Sequence, residues 1–287
     1  MRTVFLGTSD FAVTVLDALV ASAHAVALVV TRPARPRGRG RRLAPPPVAD
    51  AAREHGIEVL APERLDAAGD AIAAARPDAL SLCAYGAIVR EPLLSAWEIF
   101  NVHPSLLPRW RGAAPVERAL LAGDEETGVS IMRLVAELDA GPVALAGHEA
   151  IGPEDTYGTL SPRLATLGGE LLVRALAERP AWREQLSEGV AYAEKIGAED
   201  RELRPAEEDA AALDRRVRAL TPHIGAWVAL DGERLGVRAA RPAPAGPAPG
   251  ELDGARLGTT DGALDLLEVQ PPGKRPMAAA DWLRGRR

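Results

Sequence analysis

Two side chains carry polar chemistry that this sequence places in a promising pattern: Asn101 and His103. Asn101 and His103 follow a short apolar run (Trp97, Ile99, Phe100) and stand two residues apart. Alternate residues of a strand point the same way, so one amide and one imidazole face one space at a strand end. An amide N–H and a protonated imidazole can both stabilise a developing oxyanion. Further along, the polar turn Glu137–Pro142 carries a carboxylate at Asp139. Each residue alone has a plain structural explanation, as a core histidine, a turn asparagine or a turn carboxylate. No Ser-His-Asp or Cys-His order is evident, so no covalent nucleophile is implied.

The elements that must position these residues alternate. Thr3–Gly7 reads as a buried strand ending in the turn Gly7-Thr8-Ser9-Asp10, with Ser9 or Asp10 as helix N-cap. A helix with Phe11, Val15, Leu16 and Leu19 on one face follows, then a strand at Ala25–Val30. That is a βαβ unit of a parallel sheet. The opening is Rossmann-like, but the turn lacks Gly-x-Gly-x-x-Gly, so a nicotinamide cofactor is not inferred. The alternation resumes with helices at 48–55 and 66–75 and strands at 58–60, 79–84 and 97–102. Beyond the central stretch come a helix at 116–122, strands at 128–134 and 143–151, and a long helix at 159–178.

Between strand and helix, Thr31–Pro47 holds six arginines, five prolines and two glycines. That composition predicts no packed element. It sits at the carboxyl edge of a parallel strand, where ligands bind, and reads either as a solvated surface loop or as a mobile grip on phosphates. Past Pro180 the texture changes to a polar linker, a helix at 206–220 with Leu213, Val217 and Leu220 on one face, and short strands at 226–230, 235–239, 255–260 and 263–270. The Asp-Gly turns between them predict a small β-barrel.

The composition sets the class. A chain of 287 residues with 47% hydrophobic content is long enough for one large or two moderate domains. A net charge of −6 and a pI near 5.5 argue against a protein that coats nucleic acid as a whole. The lone Cys83 reads as a buried small hydrophobe, and no Cys/His cluster has metal spacing. With no signal-peptide pattern and no apolar run of spanning length, the expectation is a cytoplasmic protein without membrane or metal partners.

Several segments together resemble the methionyl-tRNA formyltransferases: Gly7-Thr8-Ser9-Asp10-Phe11-Ala12, Asn101–Pro115, Leu138–Pro142, Tyr192–Lys195, Arg218–Pro222 and Leu267–Pro276. Ser9 and Ala140 stand where that family commonly has proline and threonine. The resemblance implies a Rossmann-like parallel-sheet α/β domain at 1–188, a linker at 189–205 and an OB-like β-barrel tRNA-binding domain at 206–287. It implies transfer of the formyl group of 10-formyltetrahydrofolate to the amino group of initiator methionyl-tRNA. By position, Asn101, His103 and Asp139 resemble the catalytic trio. Ser105, Leu106, Leu107 and Pro108 resemble the folate-pocket wall, and Arg37, Arg39, Arg41 and Arg42 the loop that meets the acceptor stem.

The chemistry agrees with that likeness. An amine attacking a formyl carbon needs an oxyanion partner and a proton acceptor, and no covalent intermediate. Formylation of an amino sugar nucleotide would use the same trio, but would not need the arginine loop together with the β domain. His24, His55, His148 and His223 have no motif partners and read as structural or surface residues. Trp110 and Trp227 are candidates to stack on a base or simply to pack, and the Arg284–Arg287 end reads as solvated.

Overall fold

The computed structural model describes residues 1–37 and 42–285. Two compact units divide it: one comprises Met1–Gly112, Glu126–Ala150 and Ser161–Tyr192, and the other Ala113–Glu125, Ile151–Leu160 and the chain from Ala193 onward.

The first unit is built on strands too apolar to face water on either side. In β1 (Arg2–Gly7), Val4, Phe5 and Leu6 are wholly buried. Burying a side chain of that size contributes roughly 1.5–3 kcal/mol. Helix α1 (Asp10–Val20) starts at Ser9, whose hydroxyl accepts the Ala12 N–H, and Asp10 adds favourable charge to its first turn. Then come β2 (Ala25–Val30), β3 (Arg35–Arg37), β4 (Arg42–Ala44), α2 (Pro47–Glu54), β5 (Val59–Leu60), α3 (Gly69–Ala74), β6 (Ala79–Cys83), α4 (Leu93–Ala96), β7 (Ile99–His103) and the short β8 (Arg111–Gly112). After α5 (Pro115–Ala122), which belongs to the second unit, come β9 (Glu126–Arg133), β10 (Val143–Ala150) and the 22-residue α6 (Tyr157–Glu178), of which the part from Ser161 belongs to the first unit.

Among the described residues, seven strands form one sheet in the order β10-β9-β7-β6-β1-β2-β5. Its part from β7 to β5 is parallel, and β9 and β10 are antiparallel. On one face, α6 comes so close that Gly168 rests on Val102; a Cβ there would stand 2.7 Å from Val102 Cγ1. On the other face, Leu6, Val30, Leu80 and Ile99 pack with Leu65, Ile72 and Leu93 from the crossover segments. The chain leaves β1 toward β2 and later returns on its other side through β6, so the sheet has a switch point where ligands of such folds sit.

The second unit holds β11's second residue (β11 is Tyr192–Ala193), β12 (Glu202–Leu203), α7 (Ala210–Leu220), β13 (Ala226–Leu230), β14 (Glu233–Ala243), β15 (Leu252–Asp253), β16 (Arg256–Gly258), β17 (Ala263–Gln270), β18 (Met277–Ala278) and α8 (Ala279–Arg284). The strands form a curled sheet in the order β12-β13-β14-β17-β16-β15, with β18 on β17. Leu213, Val217 and Leu220 of α7 are buried as their spacing requires, over a core that includes Leu235, Val237 and Val269. The expected fold class, a Rossmann-like α/β domain with a small OB-like β domain, is borne out.

Four elements differ from the sequence reading. Thr31–Pro47 was expected to hold no regular element, yet β3 and β4 pair antiparallel, Arg35 opposite Ala44 and Arg37 opposite Arg42. Backbone ladders need no core, and Leu43 in this ribbon is 73% exposed. Helix α7 begins at Ala210 rather than at residue 206, because Asp209 caps it by accepting the Ala212 N–H at 2.7 Å. Strand β14 continues through Pro242 instead of ending at Ala239, two register shifts keeping it paired with β17. Arg284 ends helix α8, an element the sequence reading did not include, and its side chain is solvated as expected.

Candidate active site

Asn101 and His103 lie at the carboxyl end of β7, 6% and 4% exposed. Val102 between them faces α6, so the amide and imidazole project from the opposite face. In register, Asn101 sits beside Leu82 of β6 and His103 beside Ser130 of β9.

The chain turns at once after β7, with Ser105 N donating to His103 O at 2.8 Å. Ser130 then holds the next residues from the side. Its hydroxyl donates to Ser105 O at 2.8 Å and accepts Leu107 N–H at 3.1 Å. The Ser105 hydroxyl donates to Arg109 O at 2.7 Å, closing the turn. Ser105 is wholly buried, while Leu106, Leu107 and Pro108 are partly exposed and form an apolar ledge.

Trp110 takes a left-handed backbone, φ 65°, under the Arg109 guanidinium, which lies 4.3 Å from the indole centroid. This backbone aims the Trp110 carbonyl at His103 Nε2, 2.8 Å away. A carbonyl only accepts, so Nε2 carries the hydrogen and donates it. Nδ1 is therefore the ring nitrogen left for other work, and Asp139 Oδ2 stands 3.6 Å from it. That is longer than a hydrogen bond and leaves Nδ1 a direction for substrate.

Asp139 is itself held in a left-handed conformation, φ 45°, a cost of the kind that collects at functional sites. Its Oδ2 accepts the Gly112 N–H at 2.8 Å. Its carbonyl accepts from Gln185 Nε2 at 2.8 Å, and the same amide nitrogen donates to Gly141 O at 2.7 Å. Gln185 Oε1 in turn accepts from Arg111 Nε and Nη2 at 3.0 and 2.8 Å. One glutamine side chain thus ties the Asp139 turn to the segment that follows Pro108.

The structure therefore brings together Asn101, His103, Asp139 and the 105–108 ledge. Arg37 and Arg42 end the β3 and β4 strands, and their side chains lie outside the described residues, as do Arg39 and Arg41 altogether. Gln185 and Ser130 were missed. Gln185 lies in a stretch that read as linker, and Ser130 within an apolar strand, so neither carried a local signal. The remaining histidines have other partners: His24 bonds to Val173 O, His55 pairs with Asp17, His148 with Glu126 and His223 with Glu117. Cys83 is wholly buried, and that burial pushes its thiol pKa far up, as fits a core residue. A cavity of about 350 Å³ opens beside Arg32, Ala87 and Ile88, and none of the trio lines it.

Residues 1–176 match the Formyl transferase family model, and residues 195–287 match the model of the Formyl transferase C-terminal domain. The methionyl-tRNA formyltransferase of Paracoccus denitrificans is 45% identical over 294 residues, covering 99% of this chain and 97% of that protein. The chain belongs to the methionyl-tRNA formyltransferase family. Relatives of the same name from Thermobifida fusca and Leifsonia xyli are 46% and 47% identical, covering 100% and 99% of this chain and 97% of each of theirs.

Solved structures share the fold at lower identity. A HypX variant from Aquifex aeolicus superposes with a TM-score of 0.71 at 18% identity, over 100% of this chain; the chain spans about half of that protein, 47%. An N-formyltransferase from Helicobacter canadensis, solved with folinic acid and dTDP-3-aminofucose, gives 0.69 at 14% identity, over 93% of this chain and 99% of its own. At these identities the likeness concerns architecture alone.

Proposed function

We propose that this chain transfers the formyl group of 10-formyltetrahydrofolate to the free amino group of initiator methionyl-tRNA, for translation initiation, and that Asn101, His103 and Asp139 carry the reaction. The observation that supports the trio is the 3.6 Å approach of Asp139 Oδ2 to His103 Nδ1, on an imidazole whose other nitrogen is committed to a backbone carbonyl. The tRNA acceptor is favoured over an amino sugar nucleotide by near-full-length relatives at 45–47% identity, against 14% for the sugar-nucleotide complex.

The folate donor supplies an activated formyl group. The ledge Leu106–Pro108 and the 59% exposed Leu138 give apolar surface for a flat ring beside the polar trio, so the residues present fit such a molecule. Asn101 donates its amide N–H toward the formyl oxygen. A protonated His103 supports the same developing charge through Nδ1–H. Asp139, fixed by the Gly112 N–H, steadies the imidazolium and receives the proton that the attacking amine releases, directly or through one water. Arg37, Arg39, Arg41 and Arg42 provide attraction for tRNA phosphates.

The same proposal assigns residues 1–188 to catalysis, 189–205 to the connection and 206–287 to tRNA binding. Among the described residues no helix is long and apolar enough to cross a membrane, and a tRNA substrate places the work in the cytoplasm. The deciding experiment offers methionyl-tRNA and a panel of amino sugar nucleotides in parallel, with 10-formyltetrahydrofolate as donor. Formyl label on methionyl-tRNA is expected; label on a sugar nucleotide alone would overturn the assignment.

A further inference from the structure

One surface of the second unit gathers three arginines whose hydrogen-bond and ring partners are uncharged. Several other guanidinium groups of that unit are matched to carboxylates: Arg118 to Asp200, Arg216 to Glu208, Arg218 to Asp214 and Arg256 to Asp265. Arg201, Arg234 and Arg238 are not. Arg201 donates from Nε and Nη2 to the carbonyls of Gly225 and Ile224, both at 3.2 Å. Arg238 donates to Gln270 Oε1 and to Pro222 O. Arg234 lies over the Trp227 ring, 4.2 Å from its centroid. Neutral partners and an indole face hold these groups in place.

The sheet explains why they converge. Leu235, Val237 and Val269 turn toward the core, so Arg234, Gly236 and Arg238 point to the other face. Trp227 and Gln270 flank Gly236 on the neighbouring strands, and Gly236 contributes no side chain. The result is a cavity of about 230 Å³ walled by three guanidinium groups, an indole and an amide, with no carboxylate in its lining.

We infer that this cradle binds the RNA substrate, taking a backbone phosphate between Arg234, Arg238 and Arg201. The choice of RNA rests on the formyltransferase reading above. Guanidinium forks match phosphate oxygens in geometry as well as charge. The indole at the rim offers a flat face to the nucleotide that carries that phosphate, a combination an acidic peptide would not use. Among the described residues Arg234 is held by its stack on Trp227, from which its guanidinium can turn toward the phosphate.

The test uses the full chain and deacylated initiator tRNA, with binding followed by fluorescence anisotropy over a salt series from about 50 to 200 mM. Arg234→Gln is expected to weaken binding roughly tenfold at the low-salt end and to reduce the log–log salt slope by about one unit. Arg234→Glu should weaken it further, and Arg234→Lys should restore most of it. In steady-state formylation the loss should fall on KM for methionyl-tRNA, with KM for the folate donor unchanged. Arg256→Gln removes the same charge from the same unit outside the cradle, and should bind as wild type does. If Arg234→Gln and Arg234→Glu bind tRNA with wild-type affinity and slope while the wild-type protein formylates methionyl-tRNA, the cradle is wrong and the activity stands. Equal weakening by Arg256→Gln also overturns it, because the effect is then one of overall charge. A wild-type protein that formylates no methionyl-tRNA would instead remove the reading from which RNA was chosen.

Discussion

Asp139 Oδ2 stands 3.6 Å from His103 Nδ1 while it accepts the Gly112 N–H at 2.8 Å. One carboxylate oxygen is thus anchored to the backbone and still faces the imidazole. Replacing Asp139 or His103 by Ala should lower kcat by at least ~10²–10³, the usual cost of losing one such stabilising group. Binding of methionyl-tRNA should stay near wild type. Single-turnover formylation beside a tRNA-binding titration measures both, and wild-type turnover in either variant would sink the catalytic assignment.

Gln185 holds the turn that carries Asp139. Its Nε2 donates to the carbonyls of Asp139 and Gly141, and its Oε1 takes Arg111. Gln185→Leu should release the left-handed Asp139 turn and lower kcat roughly 10–100-fold, since small misplacements are costly in catalysis. Gln185→Glu keeps the Arg111 contact but cannot donate to the carbonyls, so it should be impaired as well. KM for methionyl-tRNA should be unchanged in both; an effect confined to that KM would show that Gln185 does not position the carboxylate.

Substitution of Ser130 tests the proposed folate ledge apart from tRNA binding. Its hydroxyl joins Ser105 O and Leu107 N, and Ser130→Ala leaves both groups short of a partner at about 1–3 kcal/mol. The ledge Leu106–Pro108 should loosen, raising KM for the folate donor several-fold with KM for methionyl-tRNA unchanged. Initial-rate measurements with each substrate varied in turn would detect this split.

The arginine loop is tested by charge. Changing Arg37, Arg39, Arg41 and Arg42 to Ala should raise KM for methionyl-tRNA and flatten its dependence on salt, because fewer counterions are exchanged on binding. Kinetics that track wild type across the salt series would count against the loop as a phosphate grip.

Asp200 should make the second unit acid-sensitive. Burial raises its carboxyl pKa, but the two-pronged Arg118 contact and the Gly197 N–H outweigh that and hold it below the usual 3.8. A depressed folded pKa stabilises the protein at pH values above the unfolded pKa, and that stability is lost as pH falls through the folded value. Asp200→Asn should therefore lower Tm at neutral pH and flatten the fall in Tm below about pH 4. Thermal melts of both proteins from pH 7 to pH 2 give the comparison.

Much of the fold was legible in the chain. Buried strands announce themselves by unbroken apolar runs, and Leu213, Val217 and Leu220 found the core because a helix repeats every 3.6 residues. Ser9 as an N-cap followed from the same local chemistry. The β3–β4 ribbon escaped notice, since its pairing is made by backbone groups that every residue carries.

The catalytic candidates divide along the same line. Asn101 and His103 were readable as a pair because two-residue spacing alone sets which way strand side chains point, whereas Asp139 was marked only by the family resemblance. Nothing in the spacing says that Asp139 meets His103, that Trp110 O fixes the imidazole, or that Gln185 spans 46 positions to hold the turn. The cradle at Gly236 is of the same kind, since Arg201, Trp227, Arg238 and Gln270 reach it from four separate segments. Local periodicity and residue type are properties of neighbours along the chain. The catalytic distances depend on which strands lie side by side and in what register, and that is settled only when the whole sheet is assembled.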